Sequence, residues 1–428
     1  MGQHQHPLTR APLYFARDDR LPPRVGRYAP WPPRRRLARA LGTAAGASCL
    51  ALALLYLWCP VHRFPSARAF RGRRWYNPYA TIASTTVWQK ANLHVHSHAW
   101  RGLTRGRGAA EDVSRRYQAM GYDVAPISNY QEISRGAPAD PSAVTVYEQG
   151  YNLRKVHFLA IGAEHVDWLG YPLLQGRDEE QQRIDRLRAS GALVVIAHPR
   201  LRRAITDGDL RALTGYTAIE IGSNLARGED AWNVALDAGR PVWAVANDDT
   251  HNAASPNEAG RYWSMVAAPR TGAAALRAAL AAGRSYAVFG RGGHADVFLA
   301  ALTLVGDTLT AIFEGAPAEL RLVGPYGQVL AAVARGHSAR WVIPCDAPWV
   351  RIVARTATTR LYLQPLLRSE DGALPHVDAA VAPLPTLVRR VLAIVLALIA
   401  IMAWVGSNSI QLAGTNPVRP RVLFRDAA

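Results

Sequence analysis

From residue 90 the chain alternates short apolar runs with helix-forming stretches, and this alternation limits the possible fold more than any other feature. Such alternation predicts strands joined by crossover helices, and therefore a parallel sheet. The predicted strands are 91–96, 123–128, 156–162, 193–197, 217–221, 241–246 and 261–267. The predicted helices are 109–120, 179–189, 207–213, 230–238 and 272–282, and glycines at 121, 191, 239 and 283 supply helix stops. About seven strands within roughly 190 residues favour a closed barrel over an open sheet.

Several of these runs end in side chains that bind metal ions. His94 and His96 lie two residues apart on the first strand, so their imidazoles point the same way. The same spacing puts Asp249, rather than Asp248, on the side of His251. The carboxyl ends of barrel strands form one rim, and we expect these side chains to converge there. The predicted ligands are His94, His96, Glu164, His198, Asp249 and His251.

Imidazole and carboxylate ligands together suit a divalent Zn, Mn or Fe ion. Each residue also has a simpler explanation, because a histidine or an acid at a strand end is often just solvated. Glu220 stands between two apolar neighbours, Ile219 and Ile221. It either supports the site from behind or lies half exposed on its strand.

After residue 292 the sequence pattern changes to short β-forming runs separated by turn residues. This pattern predicts a small β-sandwich over 293–368. No cluster of titratable residues accompanies it, which favours a spacer or packing role. The middle of the chain is therefore predicted as a barrel, 91–292, followed by this sandwich, with linkers at 61–90 and 369–386.

Two apolar runs bracket this middle region. Residues 40–60 contain an uncharged stretch long enough to cross a bilayer, and Tyr56 and Trp58 suit its interface. Residues 387–405 form the second span, or alternatively a monotopic or buried helix. A basic arm, 1–39, precedes the first span, and a basic tail, 406–428, follows the second.

The formal net charge is +18 and comes almost entirely from arginine. No nucleic-acid motif accompanies it, so nucleic acid is not an expected partner, whereas the lipid bilayer is. More arginines precede the first span than follow it, which favours a cytoplasmic amino terminus. The expected location is the inner membrane, with the barrel on the periplasmic or extracellular side. Three cysteines are too few for a disulfide framework.

The sequence resembles the polymerase and histidinol phosphatase (PHP) family over roughly 91–286. The similar segments are His94–Ser97, Gly121–Tyr130, Gly162–Glu164, Ala197–Pro199 and Asp249–His251. The resemblance implies a distorted (β/α)7 barrel that binds up to three metal ions and hydrolyses phosphate esters. It also implies that Glu164 bridges two of these ions.

The resemblance is incomplete at two places. Trp100-Arg101-Gly102 stands where the family usually has an acid or histidine, and Asn129-Tyr130 replaces an Asp-His pair. The remaining ligands suffice for one or two ions, and His251 loses most of its partners for a third. We expect the guanidinium of Arg101 to take the place of the missing cation and Tyr130 to orient a substrate oxygen.

The sequence therefore predicts a membrane-anchored, metal-dependent phosphoesterase that acts on a phosphate mono- or diester. Its partner would be a phosphorylated small molecule or another anionic substrate. Two alternatives remain at this point. One is a catalytically silent ligand-binding or sensing module at the membrane, and the other is a metal-dependent hydrolase of a non-phosphate bond.

Overall fold

The computed structural model describes residues 34–82, 86–134, 144–270 and 272–413. Most of the predicted arm and tail, residues 1–33 and 414–428, lies outside these ranges. The helices are α1 Arg34–Trp58, α2 Ala110–Ala119, α3 Arg177–Ala189, α4 Asp207–Ala212, α5 Glu229–Asp237, α6 Ala273–Ala281 and α7 Pro383–Ala413. The described residues that follow Leu52 belong to one compact unit.

The strands alternate with these helices up to residue 289 and then follow one another directly. The first ten are β1 His62–Arg63, β2 Arg74–Tyr76, β3 Trp88–Ala91, β4 Val146–Gln149, β5 Phe158–Ile161, β6 Leu193–Ile196, β7 Ala218–Gly222, β8 Trp243–Ala246, β9 Tyr262–Ala267 and β10 Ser285–Phe289. The others are β11 Val297–Val305, β12 Thr308–Gly315, β13 Ala318–Val323, β14 Val329–Gly336, β15 Ser338–Val342, β16 Trp349–Arg355, β17 Arg360–Leu363, β18 Leu366–Ser369 and β19 Ala380–Val381.

One sheet has five strands in the order β4-β5-β6-β7-β8. Strands β6, β7 and β8 are parallel, whereas β5 runs opposite to both β4 and β6. Single bridges, such as Val95 with Thr250 and Tyr130 with Glu148, extend its edges. The predicted closed (β/α)7 barrel is therefore corrected for the described residues. The sheet is open because its outer strands β4 and β8 do not pair, and it is mixed because β5 is reversed.

The predicted sandwich shares a sheet with the residues before it. Strands β13, β14, β16 and β17 continue through β10, β9 and β3 in a nine-stranded sheet, which also includes β18 and β2. A three-stranded sheet, β11-β12-β15, packs on it around buried side chains such as Phe313 and Ile352. Two packed layers are thus present, but no boundary separates them at residue 292. The segment 61–90, predicted as a linker, supplies the paired strands β1, β2 and β3.

Helices α1 and α7 contain the two apolar runs. Ala40–Trp58 has a mean hydropathy of 1.8 with none of its residues buried, and Pro383–Gly406 has 2.3 with 6% buried. Both are long and apolar enough to cross a membrane. Their exposure distinguishes them from the buried core helices of a soluble domain.

An ion-pair network joins the start of α7 to the start of α3. Arg389 lies 3.2 Å from the carboxylate of Asp178 and 3.1 Å from that of Glu179. The buried His62 lies 3.3 Å from Asp178 and 3.4 Å from Asp185. Burial alone would lower the pKa of His62, but the two carboxylates outweigh it and raise that pKa to about 9. The network joins α7 to α3 within the compact unit.

Candidate metal centre

Seven metal-binding side chains converge at one edge of the five-stranded sheet. They form overlapping groups in which one ligand atom of each member lies within 4.8 Å of the others. The members are His94, His96, Glu148, His157, His198, Asp249 and His251. All are buried except His251, whose side chain is 18% exposed. Buried histidines and carboxylates packed together are typical of a metal centre.

Four of these side chains surround one point. The Oε2 atom of Glu148 lies 3.3 Å from Nε2 of His94 and 3.2 Å from Nε2 of His96. On the opposite side, Oδ1 of Asp249 lies 3.3 Å from each of the same two nitrogens. All four atoms are buried and have no hydrogen-bond partner. Unsatisfied buried polar atoms are rare in proteins, and a cation held between these four atoms would satisfy all of them.

A transition-metal ion fits that requirement. Ligand atoms about 2.0–2.2 Å from a tetrahedrally coordinated ion lie roughly 3.3–3.6 Å from one another. The four nitrogen–oxygen separations, at 3.2–3.3 Å, lie at or just below the short end of this range. Two imidazoles and two carboxylates also carry the donor atoms and the negative charge that Zn²⁺, Mn²⁺ or Fe²⁺ prefers.

Glu148 faces a second group of ligands with its other oxygen. Its Oε1 atom lies 3.1 Å from Nε2 of His198 and 2.5 Å from Nδ1 of His157. One carboxylate therefore presents one oxygen to each of two adjacent ligand groups. If metal ions bind here, Glu148 is the residue that could serve two of them, one through each oxygen.

Glu220 supports the site from behind. It is fully buried on β7 and accepts hydrogen bonds from Nδ1 of His94, the backbone N–H of His198 and the amide of Asn247, each at 3.0 Å. A proton held on Nδ1 leaves Nε2 of His94 free as a lone-pair donor toward the cluster. Of the two roles that the sequence left open for Glu220, the structure favours the supporting one.

The protonation of the cluster follows from its burial and its internal charges. Burial would raise the pKa values of Glu148 and Asp249, but the surrounding histidines keep both well below their usual range. Burial also lowers the pKa of His157, to about 4, so this imidazole is neutral. The carboxylates raise the pKa values of His94, His96 and His198 against the effect of burial. A bound cation would displace those protons.

Backbone conformation at the rim is strained in two ligand residues. His198 has a φ of 28° and Asp249 a φ of 51°, in the left-handed region that residues other than glycine seldom adopt. Such strain concentrates at functional sites. Asp248 turns away from the cluster, as predicted, and accepts backbone hydrogen bonds from Gly260, Arg261 and Tyr262. Burial raises the pKa of Asp248 to about 6.

The structure brings together five of the predicted ligands, His94, His96, His198, Asp249 and His251, but not Glu164. Glu164 is exposed, and Glu148 stands at the centre instead. The reason is the direction of β5: because this strand is reversed, its end carries Glu164 away from the site while its start brings His157 to it. The run Val144-Thr145-Val146-Tyr147 before Glu148 is rich in strand-forming residues and could have revealed β4.

The two residues predicted to assist catalysis occupy different environments. The Tyr130 ring stacks on His96 with their centroids 4.7 Å apart. Burial and the charges of Glu148 and Asp249 raise the pKa of Tyr130, so its phenol stays protonated. Arg101 lies exposed on a turn with a φ of 52°. The neighbouring Trp100 donates its indole N–H to the backbone oxygen of Tyr130 at 2.7 Å.

Comparisons with known proteins add little to this picture. No protein-family model matches the sequence, and no curated protein matches it. Among solved structures, the chain is similar to a two-domain protein from Bacteroides vulgatus, described as containing a predicted PHP-like metal-dependent phosphoesterase. The identity is 15%, the TM-score is 0.37, and the match covers 72% of this chain and 92% of that one. At this similarity the function has to be inferred from the residues of the site.

Proposed function

We propose that this protein is a membrane-anchored, metal-dependent hydrolase of phosphate mono- or diesters, with a PHP-like site. The single observation that carries this proposal is the convergence of four unpartnered buried ligand atoms, from His94, His96, Glu148 and Asp249. When bound, a divalent transition-metal ion supplies Lewis acidity and activates water for attack on a phosphate ester.

The side chains divide the remaining work. His94, His96, Glu148 and Asp249 would hold one ion, and His157 and His198 would hold a second through the other oxygen of Glu148. Glu220 keeps His94 in the required tautomer. The protonated phenol of Tyr130, beside His96, can donate a hydrogen bond to a substrate oxygen. In this proposal Arg101 binds substrate from its exposed turn.

Metal content and turnover of the full chain and its Asp249→Asn variant test the proposal. We expect the wild-type chain, purified in detergent, to contain at least one equivalent of Zn, Mn or Fe. The substitution replaces a ligand oxygen and its charge with a neutral amide, so the variant should lose most of the metal. Its kcat on phosphate esters should fall by about 1,000-fold or more. Elemental analysis and steady-state kinetics measure the two effects.

Each alternative function has its own outcome in this experiment. A wild-type chain that contains no transition metal, and gains none on incubation with Zn²⁺, Mn²⁺ or Fe²⁺, would indicate a ligand-binding module. A metal-loaded chain that cleaves amides but neither phosphomonoesters nor phosphodiesters would indicate a hydrolase of another bond. Circular dichroism of the Asp249→Asn variant controls for its folding.

The proposal includes two membrane spans, within α1 and α7. The Arg389 charge does not oppose this assignment, because Asp178 and Glu179 neutralise it at the compact unit. The excess of arginines before residue 40 supports a cytoplasmic amino terminus. The metal centre would then lie on the periplasmic or extracellular side of the inner membrane.

A native cysteine provides the test of orientation. Cys345 is exposed in the compact unit, whereas Cys59 is buried and Cys49 lies within the first apolar run. We expect a membrane-impermeant maleimide to label Cys345 in cells whose outer membrane has been permeabilised. A Cys345→Ser variant should lose this label. Labelling that requires disruption of the inner membrane would place the compact unit in the cytoplasm and contradict the proposed orientation.

A further inference from the structure

A second polar cavity lies outside the metal centre, and arginines dominate its wall. It has a volume of about 250 Å³ and includes Arg227, Arg261, Arg355 and Arg360 among its lining residues. Arg227 follows β7, Arg261 precedes β9, and the other two flank the turn between β16 and β17. None of them belongs to the seven-residue metal cluster.

These arginines are not neutralised by carboxylates. The side chains of Arg227 and Arg355 form no hydrogen bond or ion pair with any residue in the described ranges, although that of Arg227 lies over the Phe289 ring. The Arg261 guanidinium donates to the amide oxygen of Asn224 and the carbonyl oxygen of Asn257, and that of Arg360 donates to the Tyr362 hydroxyl. Positive charges gathered without counter-ions repel one another, and an anion would relieve that repulsion.

The acidic groups nearby are paired with other residues. Glu319 stands opposite Arg355 on β13 and forms an ion pair with Arg321. In the adjoining cavity, Glu229 binds Arg351 and Tyr362, and Asp230 binds Arg200. Asp296 stands behind the β16–β17 turn and accepts the hydroxyls of Thr356 and Thr358. With four guanidinium groups on its wall, the cavity keeps a net positive charge.

We propose that this arginine cavity is a binding site for a phosphoryl anion. Guanidinium groups bind phosphate oxygens through paired N–H donors, and several of them can enclose one tetrahedral group. The cavity is large enough for a phosphate or pyrophosphate group, and its polar wall suits no apolar ligand. Since Arg261 donates its backbone N–H to Asp248, the neighbour of the metal ligand Asp249, the two sites share one loop.

The test uses the full chain in a neutral detergent after removal of metal by chelation and dialysis, so that the metal centre does not hold the probe. Inorganic phosphate and pyrophosphate are titrated by calorimetry. We expect pyrophosphate to bind, and the double variant Arg227→Gln/Arg355→Gln to weaken its binding at least tenfold. Neither side chain forms a hydrogen bond or ion pair within the described ranges, and glutamine can keep the contact of Arg227 with Phe289, so the variant should fold.

A matched control removes the same charge from another surface. Arg335 and Arg340 are exposed on β14 and β15 and do not line the cavity. The variant Arg335→Gln/Arg340→Gln should change the affinity less than twofold. The proposal is wrong if the wild-type chain binds neither probe, if the cavity variant binds as tightly as wild type, or if both double variants weaken binding equally. Because metal is absent, none of these outcomes depends on the proposed hydrolase activity.

Discussion

Glu148→Gln should remove nearly all bound metal and lower turnover by about 1,000-fold or more, whereas Glu164→Gln should leave both within twofold of wild type. Glu148 presents one oxygen to His94 and His96 and the other to His157 and His198. Glutamine has the same shape, but it lacks the negative charge and presents an N–H₂ group where an acceptor is needed. Elemental analysis and steady-state phosphodiester hydrolysis measure the two effects.

This pair of variants compares two positions that a sequence alone cannot rank. Both glutamates follow apolar, strand-forming residues, and only their environments differ: Glu148 is fully buried, and Glu164 is exposed. Circular dichroism and thermal unfolding establish that both variants are folded. Metal loss in Glu164→Gln together with normal metal content in Glu148→Gln would show that the packing around β4 and β5 is wrong.

Arg351→Ala should lower the free energy of unfolding by about 3 kcal/mol. Arg351 is fully buried on β16, binds Glu229 at 2.8 Å, hydrogen-bonds to Asn233, and lies over the Trp232 and Trp349 rings. Its removal leaves a cavity between α5 and the nine-stranded sheet and takes away the partner of Glu229. Thermal unfolding in detergent should show a midpoint lower by about 4 °C.

A second arginine on the same strand is the control for this variant. The Arg355 side chain is exposed and forms no hydrogen bond or ion pair with the part of the chain that the structure describes, so Arg355→Ala should change the free energy of unfolding by less than about 0.5 kcal/mol. Equal unfolding midpoints for wild type and Arg351→Ala would mean that the nine-stranded sheet does not pack on α5 in solution. That result would contradict the contact between Arg351 and α5 in the structure.

Local patterns in the sequence located the helices well. The predicted helices at 109–120, 179–189 and 230–238 correspond to α2, α3 and α5 with ends that differ by at most two residues. Their amphipathic period and their glycine stops depend only on nearby residues. Gly239, for example, follows α5 with a φ of 72°, and a Cβ atom there would lie 1.9 Å from the backbone oxygen of Arg68.

The local sequence pattern did not predict the direction in which each strand runs in the sheet. The apolar run at 156–162 predicted a strand correctly, but its residues do not encode which neighbour it pairs with or in which sense. Its antiparallel pairing with β4 and β6 depends on β4, which the sequence analysis did not identify. The same limit explains the predicted sandwich, because pairing between β10 and β17 joins segments that lie far apart in the chain.

The sequence by itself determined which residue types form most of the candidate metal ligands. Two histidines at i and i+2, a histidine before proline, and an aspartate two residues before a histidine are local features, and the metal-site prediction rested on them. Only the tertiary structure decided which acid completes the set. Burial and strand direction are properties of the whole sheet, and they take Glu148 and His157 into the cluster and leave Glu164 in solvent.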